Sequence, residues 1–146
     1  MRFMMFMIPR VYQGGKGKRA GKNFTPPADA VEKMTKYNEE LTKAGALLSL
    51  DGLHPIEKGG RVSFFKGKTT LTDGSFIKSK EVFGGYWMVQ FKSKKEAMKW
   101  AKRVQAEDGD IIEVRQVFEM SDFPPDVRKA GQSPTIQAQS AKHRNK

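Results

Sequence analysis

The alternation of apolar and polar residues predicts four sheet strands, two helices and one separate hairpin. A period of two residues is typical of strands, and a spacing of three to four residues is typical of helices. The predicted elements, in chain order, are strand Arg2–Ile8, a helix from Thr25 to Gly45, strand Ala46–Leu53, hairpin Arg61–Phe65 with Thr69–Thr72, strand Tyr86–Phe91, a helix from Ser93 to about Asp108, and strand Ile111–Phe118.

Local signals set the ends of the two helices. Thr25 precedes Pro26-Pro27 and is the predicted N-cap of the first helix, which Gly45 ends. Ser93 and Glu96 have the spacing of a capping box, which predicts the start of the second helix. The hairpin turns at Lys66-Gly67-Lys68.

The order β-α-β-(β-β)-β-α-β predicts an α+β fold, in which a ferredoxin-like antiparallel sheet carries two helices on one face. The strands Arg2–Ile8 and Tyr86–Phe91 are nevertheless apolar on both faces. A sheet with one solvent-facing side should alternate instead, so a second cover is expected. We expect this cover to be a second copy of the chain, packed face to face in a symmetric homodimer.

Charge is distributed unevenly along the 146 residues, whose net charge is +11. Basic residues without acids occupy an insertion within residues 10–24 and a tail at 127–146, whereas acids and bases balance between these segments. We therefore predict one domain at 1–126, with a basic loop insertion at 10–24, and a disordered basic tail at 127–146. Such flanks can hold nucleic-acid phosphates weakly, or they can be solvated ends without function.

Several classes of protein are excluded by composition. The absence of cysteine excludes disulfides, thiolate nucleophiles and cysteine-based zinc sites. The sequence has no apolar run that could span a bilayer, and the apolar stretch after Arg2 lacks a cleavage site. We expect a cytoplasmic protein without a membrane partner and predict no cofactor.

The candidate chemistry centres on His54 and Asp73. His54 follows a strand and precedes Pro55, and Asp73-Gly74 is a turn dipeptide. If the Asp73 carboxylate oriented the His54 ring, the pair would move a proton at neutral pH, and Asp51 is a second orienting carboxylate. The alternative is that His54 is an ordinary loop residue and that Asp73 closes its own turn.

Two further interpretations are weaker. Asp51, His54 and Asp73 are suitable metal ligands, but their spacing matches no ligand motif, so we predict no metal site. RNA-recognition motifs share the predicted element order, and residues 85–91 lie where their key strand lies. However, Trp87 and Met88 replace the small residue and the stacking aromatic of that motif, so RNA binding is the third alternative.

Several ordered motifs resemble the YciI-like, or DGPF, family of YCII-related domains. These are the first strand, the helix segment 34–45, Asp51-Gly52-Leu53-His54-Pro55, Thr72-Asp73-Gly74-Ser75-Phe76, residues 80–86, and Ile112-Glu113-Val114-Arg115. Ser75 replaces the proline of the family signature. The resemblance implies a dimeric α+β barrel with a cleft between helix and sheet near the subunit interface. It also implies either small-molecule chemistry through an Asp–His pair or an accessory role.

The predicted function is an enzyme-like module that acts on a small anionic metabolite. His54 and Asp73 are the predicted catalytic residues, and Arg115, Tyr37 and Asp51 are the predicted ligand-binding residues, with Arg115 holding the anion. The alternative is a non-catalytic ligand-binding or regulatory protein on the same scaffold.

Overall fold

The computed structural model describes residues 1–14, 19–74 and 81–144. These residues form an α+β structure with two antiparallel sheets. Its elements in chain order are β1 (Arg2–Ile8), α1 (Ala28–Lys43), β2 (Leu47–Gly52), β3 (Gly60–Phe65), β4 (Lys68–Asp73), β5 (Gly85–Gln90), α2 (Lys94–Ala101), β6 (Ile111–Gln116), α3 (Pro125–Ala130) and α4 (Pro134–Arg144). The larger sheet has the strand order β2-β5-β1-β6, which is compatible with the predicted ferredoxin-like fold.

The main core lies between the larger sheet and the two helices α1 and α2. Phe3 and Met5 of β1, Val89 of β5 and Leu41 of α1 are fully buried there. Burial of each such side chain stabilises the fold by about 1.5–3 kcal/mol. The two faces of β1 differ in burial, because its residues at positions 3 and 5 are buried and those at 4 and 6 are half-exposed. Both helices therefore cover one face, and the opposite face of the sheet is open.

The helix ends agree only in part with the sequence prediction. Thr25 does not cap α1, because the helix begins at Ala28 and its N-cap is Pro27, which has no side-chain oxygen. Gly45 has a φ of 69°, as expected for a residue that ends a helix in the left-handed conformation. Helix α2 starts as predicted, since the Ser93 side chain accepts from the Glu96 N–H, but it ends at Ala101, earlier than expected.

The predicted hairpin forms a sheet of its own. Strands β3 and β4 pair from Gly60–Asp73 to Phe65–Lys68, around a two-residue turn at Lys66-Gly67. Both turn residues have positive φ, 46° and 76°, which matches the right-handed twist of the strands. Nearly every residue of the hairpin is exposed, so it projects from the domain without a packed side.

Two short helices occupy most of residues 125–144. Helix α3 ends at Ala130, and α4 spans Pro134–Arg144. The Ser133 hydroxyl accepts from the Ile136 N–H and Pro134 occupies the first turn, so a local N-terminal signal overrides the polar composition.

Candidate functional site

His54 and Asp73 are both exposed in the part of the chain that the structure describes. His54 lies just after β2, and Asp73 is the last residue of β4. The residue after Asp73 lies against the turn that follows His54, because a Cβ on Gly74 would lie 1.5 Å from the Ile56 carbonyl oxygen. The pairing of His54 with Asp73 stays a prediction.

Tyr37 does not lie with the other predicted ligand-binding residues. Its side chain is buried in the main core, and its hydroxyl donates to the Trp100 carbonyl at 2.9 Å. Burial raises the pKa of Tyr37 to about 12. Tyr37 lies on the inner face of α1. That face packs in the main core and does not line a cleft.

Asp51 belongs to a polar pair on the open face of the sheet. Asp51 of β2 is the cross-strand neighbour of Tyr86 of β5, and the Tyr86 hydroxyl donates to the Asp51 carboxylate at 2.6 Å. This hydrogen bond is the main cause that raises the pKa of Tyr86, since it favours the protonated phenol. Both groups reach solvent, so the pair can offer acceptor oxygens to a bound molecule.

Arg115 lies on the same open face at the far edge. It is the register partner of Met4, which in turn pairs with Met88. Arg115 makes a loose ion pair with Glu113 at 3.6 Å, and its side chain is 71% exposed. Strands β5 and β1 separate it from Asp51 by three strand spacings, roughly 14 Å. One small ligand cannot touch both groups within a single chain.

Apolar side chains fill the middle of the open face. Met4 and Phe6 of β1 lie beside Met88 and Tyr86 of β5, and all four are half-exposed. The Phe83 ring stacks on Phe6 with 4.6 Å between ring centroids. An apolar surface with polar groups at its edges is the usual composition of a ligand site or an interface.

The signature dipeptide Asp73-Gly74 has a clear packing role. A Cβ on Gly74 would lie 1.5 Å from the Ile56 carbonyl oxygen and 2.7 Å from that of Gly59. Only glycine permits this approach, so Gly74 anchors the base of the hairpin on the turn at Ile56–Lys58. Ser75 and residues 76–80, which complete the signature, lie outside the described residues.

The pair Gly84-Gly85 allows a side chain and a backbone group of the same chain to approach closely. A Cβ on Gly84 would lie 2.5 Å from the Pro9 ring, and one on Gly85 would lie 3.0 Å from the Asp51 carbonyl oxygen. Nearby, the Gln13 amide bonds to the Val82 backbone through both its nitrogen and its oxygen. These contacts hold the loops of the motif together.

A second apolar cluster lies under these loops and contains a charged pair. Tyr12 and Val82 are buried in it, and the Tyr12 hydroxyl donates to the Leu53 carbonyl at 2.9 Å. Arg19 and Glu57 form an ion pair at 3.3 Å whose side chains are each 19% exposed. Desolvation, followed by the Glu57 charge, raises the pKa of Tyr12. Arg19 thereby fastens the basic insertion to the motif loops.

Within residues 1–14, 19–74 and 81–144, no three histidine, aspartate or glutamate side chains are arranged to hold a metal ion. Helices in the same ranges lack the length and apolar character needed to cross a bilayer.

The family assignment follows from the match of the whole fold region. The family model for the YCII-related domain matches residues 1–121. The chain belongs to the YCII-related family. The match includes all strands of both sheets, α1, α2 and the signature loops of this YCII-related domain. A comparison with curated proteins found no match.

Tyr86 is the residue of the open face that sequence reasoning missed. Its alternation with Trp87 marked it as outward-facing, but its partner Asp51 is 35 residues away and meets it only through the β2–β5 register. The sequence contained one signal for this role of Tyr86, a polar hydroxyl within a largely apolar strand.

Proposed function

We propose that this YCII-related protein is a homodimeric binding module for a small anionic molecule, with the open sheet face at the subunit interface. The observation that carries the proposal is the composition of that face. Four half-exposed apolar side chains, Met4, Phe6, Tyr86 and Met88, form its centre, and charged groups lie at both edges. A second copy would remove the apolar centre from water and leave the charged edges around a cleft.

The polar groups of the edges have complementary roles in this proposal. Arg115 presents a planar donor set that suits a carboxylate or phosphate, and its loose bond to Glu113 leaves it available for exchange. The Tyr86–Asp51 pair presents acceptor oxygens for hydroxyl or amide hydrogens of the same ligand. Because these groups lie at opposite edges of one sheet, a ligand that uses both needs two chains.

Acid–base catalysis by His54 and Asp73 is the second candidate function. One observation supports it, the close approach of Gly74, which follows Asp73, to the carbonyl of Ile56, which lies two residues after His54. A bound ligand would have to draw the ring and the carboxylate into contact, as catalytic hydrogen bonds often tighten only in the complex.

Light scattering tests the dimer first. A mass of about 33 kDa at micromolar concentration supports it, whereas the monomer mass of 16.5 kDa at all concentrations would refute it. Met4→Arg places a charge in the apolar centre and should dissociate the dimer. The matched control is Thr35→Arg, at an exposed position of α1, which covers the other face of the sheet.

Thermal shift with a panel of small carboxylic acids and inorganic phosphate then tests the site. Arg115→Ala should abolish the shift produced by the binding acid, while His54→Ala should preserve it. If a turnover assay on that acid detects product, and His54→Ala removes turnover while keeping the thermal shift, the catalytic candidate replaces the binding one.

A further inference from the structure

The hairpin β3–β4 has an apolar face that no part of its own chain covers within the described residues. Val62 and Leu71 are directly paired, and Phe64 is two residues along on the same face. Phe64 is 80% exposed and Leu71 is 79% exposed. An isolated two-stranded hairpin is marginally stable in water, so a surface of this kind needs a partner.

A second exposed apolar segment follows β6, at residues 117–127. Phe118 is 72% exposed and stacks on Phe123 at 4.9 Å, and Met120 is also exposed. A bidentate ion pair from Arg2 to Glu119 fixes this segment to the edge of the domain. The segment is thus a preformed aromatic surface and not a loose end.

The two surfaces are complementary in charge. Residues 60–73 of the hairpin contain three basic residues and one acid, Asp73, whereas residues 117–127 contain three acids and no base. The bases are Arg61, Lys66 and Lys68, and the acids are Glu119, Asp122 and Asp126. Apolar centres with opposite charges around them favour association with each other over association of either with itself.

Within one chain the two surfaces do not cover each other, because Phe64, Leu71 and Phe118 all remain exposed. Between two copies, the hairpin of each chain would dock on the segment 117–127 of the other chain. This reciprocal contact is that of a two-fold symmetric dimer. Exposed aromatic and leucine side chains of this size bury roughly 150 Å² each. Phe64, Leu71 and Phe118 of both chains would contribute on the order of 900 Å². The half-exposed Val62, on the same hairpin face, and Met120 would raise the total to roughly 1,200 Å², the lower end for a specific interface.

We infer that the β3–β4 hairpin is an arm that docks on the segment 117–127 of a second copy of this chain. The inference rests on the homodimer of the proposed function and adds a second, reciprocal contact to it. Phe64 and Leu71 lie against Phe118 and Met120 of the partner copy, and the basic hairpin side chains lie near the acids of that segment.

Cysteine cross-linking tests the arm directly, since the chain has no cysteine of its own. Chains with Phe64→Cys and chains with Phe118→Cys are mixed and treated with a short bis-maleimide. A covalent dimer should form in the mixture, at least tenfold more than with either chain alone. The matched control pairs Phe64→Cys with Ile136→Cys, because Ile136 is equally accessible but lies on α4.

Two outcomes would overturn the arm. Cross-linking of Phe64→Cys chains to each other, or equal cross-linking to the Ile136→Cys control, would show that the hairpin docks elsewhere. A scattering mass of about 33 kDa without a Phe64–Phe118 product would refute the arm and leave the sheet dimer, whereas a mass of 16.5 kDa would refute the dimer itself.

A substitution series provides a second measurement that does not depend on cross-linker reach. Phe64→Ser with Leu71→Ser should raise the dimer dissociation constant at least tenfold in sedimentation equilibrium. Thr70→Ala, on the opposite face of the same hairpin, should leave it unchanged. An unchanged constant for the double variant would contradict the arm.

Discussion

Replacing Gly74 by alanine tests whether the signature dipeptide has a structural role. The new Cβ would lie 1.5 Å from the Ile56 carbonyl oxygen, 2.6 Å from its carbon and 2.7 Å from the Gly59 oxygen. All three atoms belong to the backbone, so no side-chain rotation relieves the overlap. The hairpin base must move away from the turn at Ile56–Lys58.

The magnitude follows from two contributions. A forced backbone shift of this kind costs about 1–3 kcal/mol. The shift also breaks the hydrogen bond from Gly74 to Gly59, whose net contribution is about 0.5–1.5 kcal/mol. We therefore expect Gly74→Ala to lower the free energy of unfolding by roughly 2–4 kcal/mol. For a chain of this length that corresponds to a melting temperature lower by about 6–12 °C.

Urea unfolding followed by circular dichroism measures the effect. Gly52→Ala is the matched control, because a Cβ on Gly52 meets no atom within 4 Å and its φ is not in the left-handed region. We expect the control to change stability by less than about 1 kcal/mol in either direction. If Gly74→Ala unfolds at the same urea concentration as the control, the close approach at Gly74 is not a stabilising feature and the reasoning is wrong.

Two further predictions concern the main core. Leu41→Ala should lower the free energy of unfolding by about 2–5 kcal/mol in the same assay, since Leu41 is fully buried, whereas the half-exposed Val31→Ala should change it little. Tyr37 has a pKa of about 12 in the folded state against about 10 when unfolded. The contribution of its protonated hydroxyl to the free energy of unfolding is therefore complete below pH 10 and falls as the pH rises towards 12. The loss should reach roughly 2–3 kcal/mol. An equal loss of stability in the Tyr37→Phe variant would show that other groups cause it.

Much of the fold could be predicted from local patterns. The apolar run of β1 and the Asp-Gly dipeptide are local patterns that a sequence displays directly. The end of α2 could not be predicted this way, because Val104 continues the helical spacing beyond Ala101 although the helix stops there. The cap of α1 was missed because Pro27, two residues after Thr25, fixes the start of the helix.

The candidate site was less predictable than the fold because it depends on register and distance. Asp51 meets Tyr86 only through strand pairing, and no local signal specifies that contact. Tyr37 has the same residue type and helical context as a cleft residue, and only the position of Trp100 assigns its hydroxyl to the core. The distance between His54 and Asp73 depends on loop geometry that neither residue encodes.

The central position of β1 constrains how this chain folds. Its two neighbours in the sheet are β5 and β6, so Phe3 pairs with Val89 on one side and Gln116 on the other. During synthesis, β1 cannot pair with β5 or β6 until most of the chain has been made. This high contact order predicts slow folding and a long interval in which an apolar strand is exposed on the ribosome. Chaperone dependence, and aggregation in its absence, would follow from the same topology.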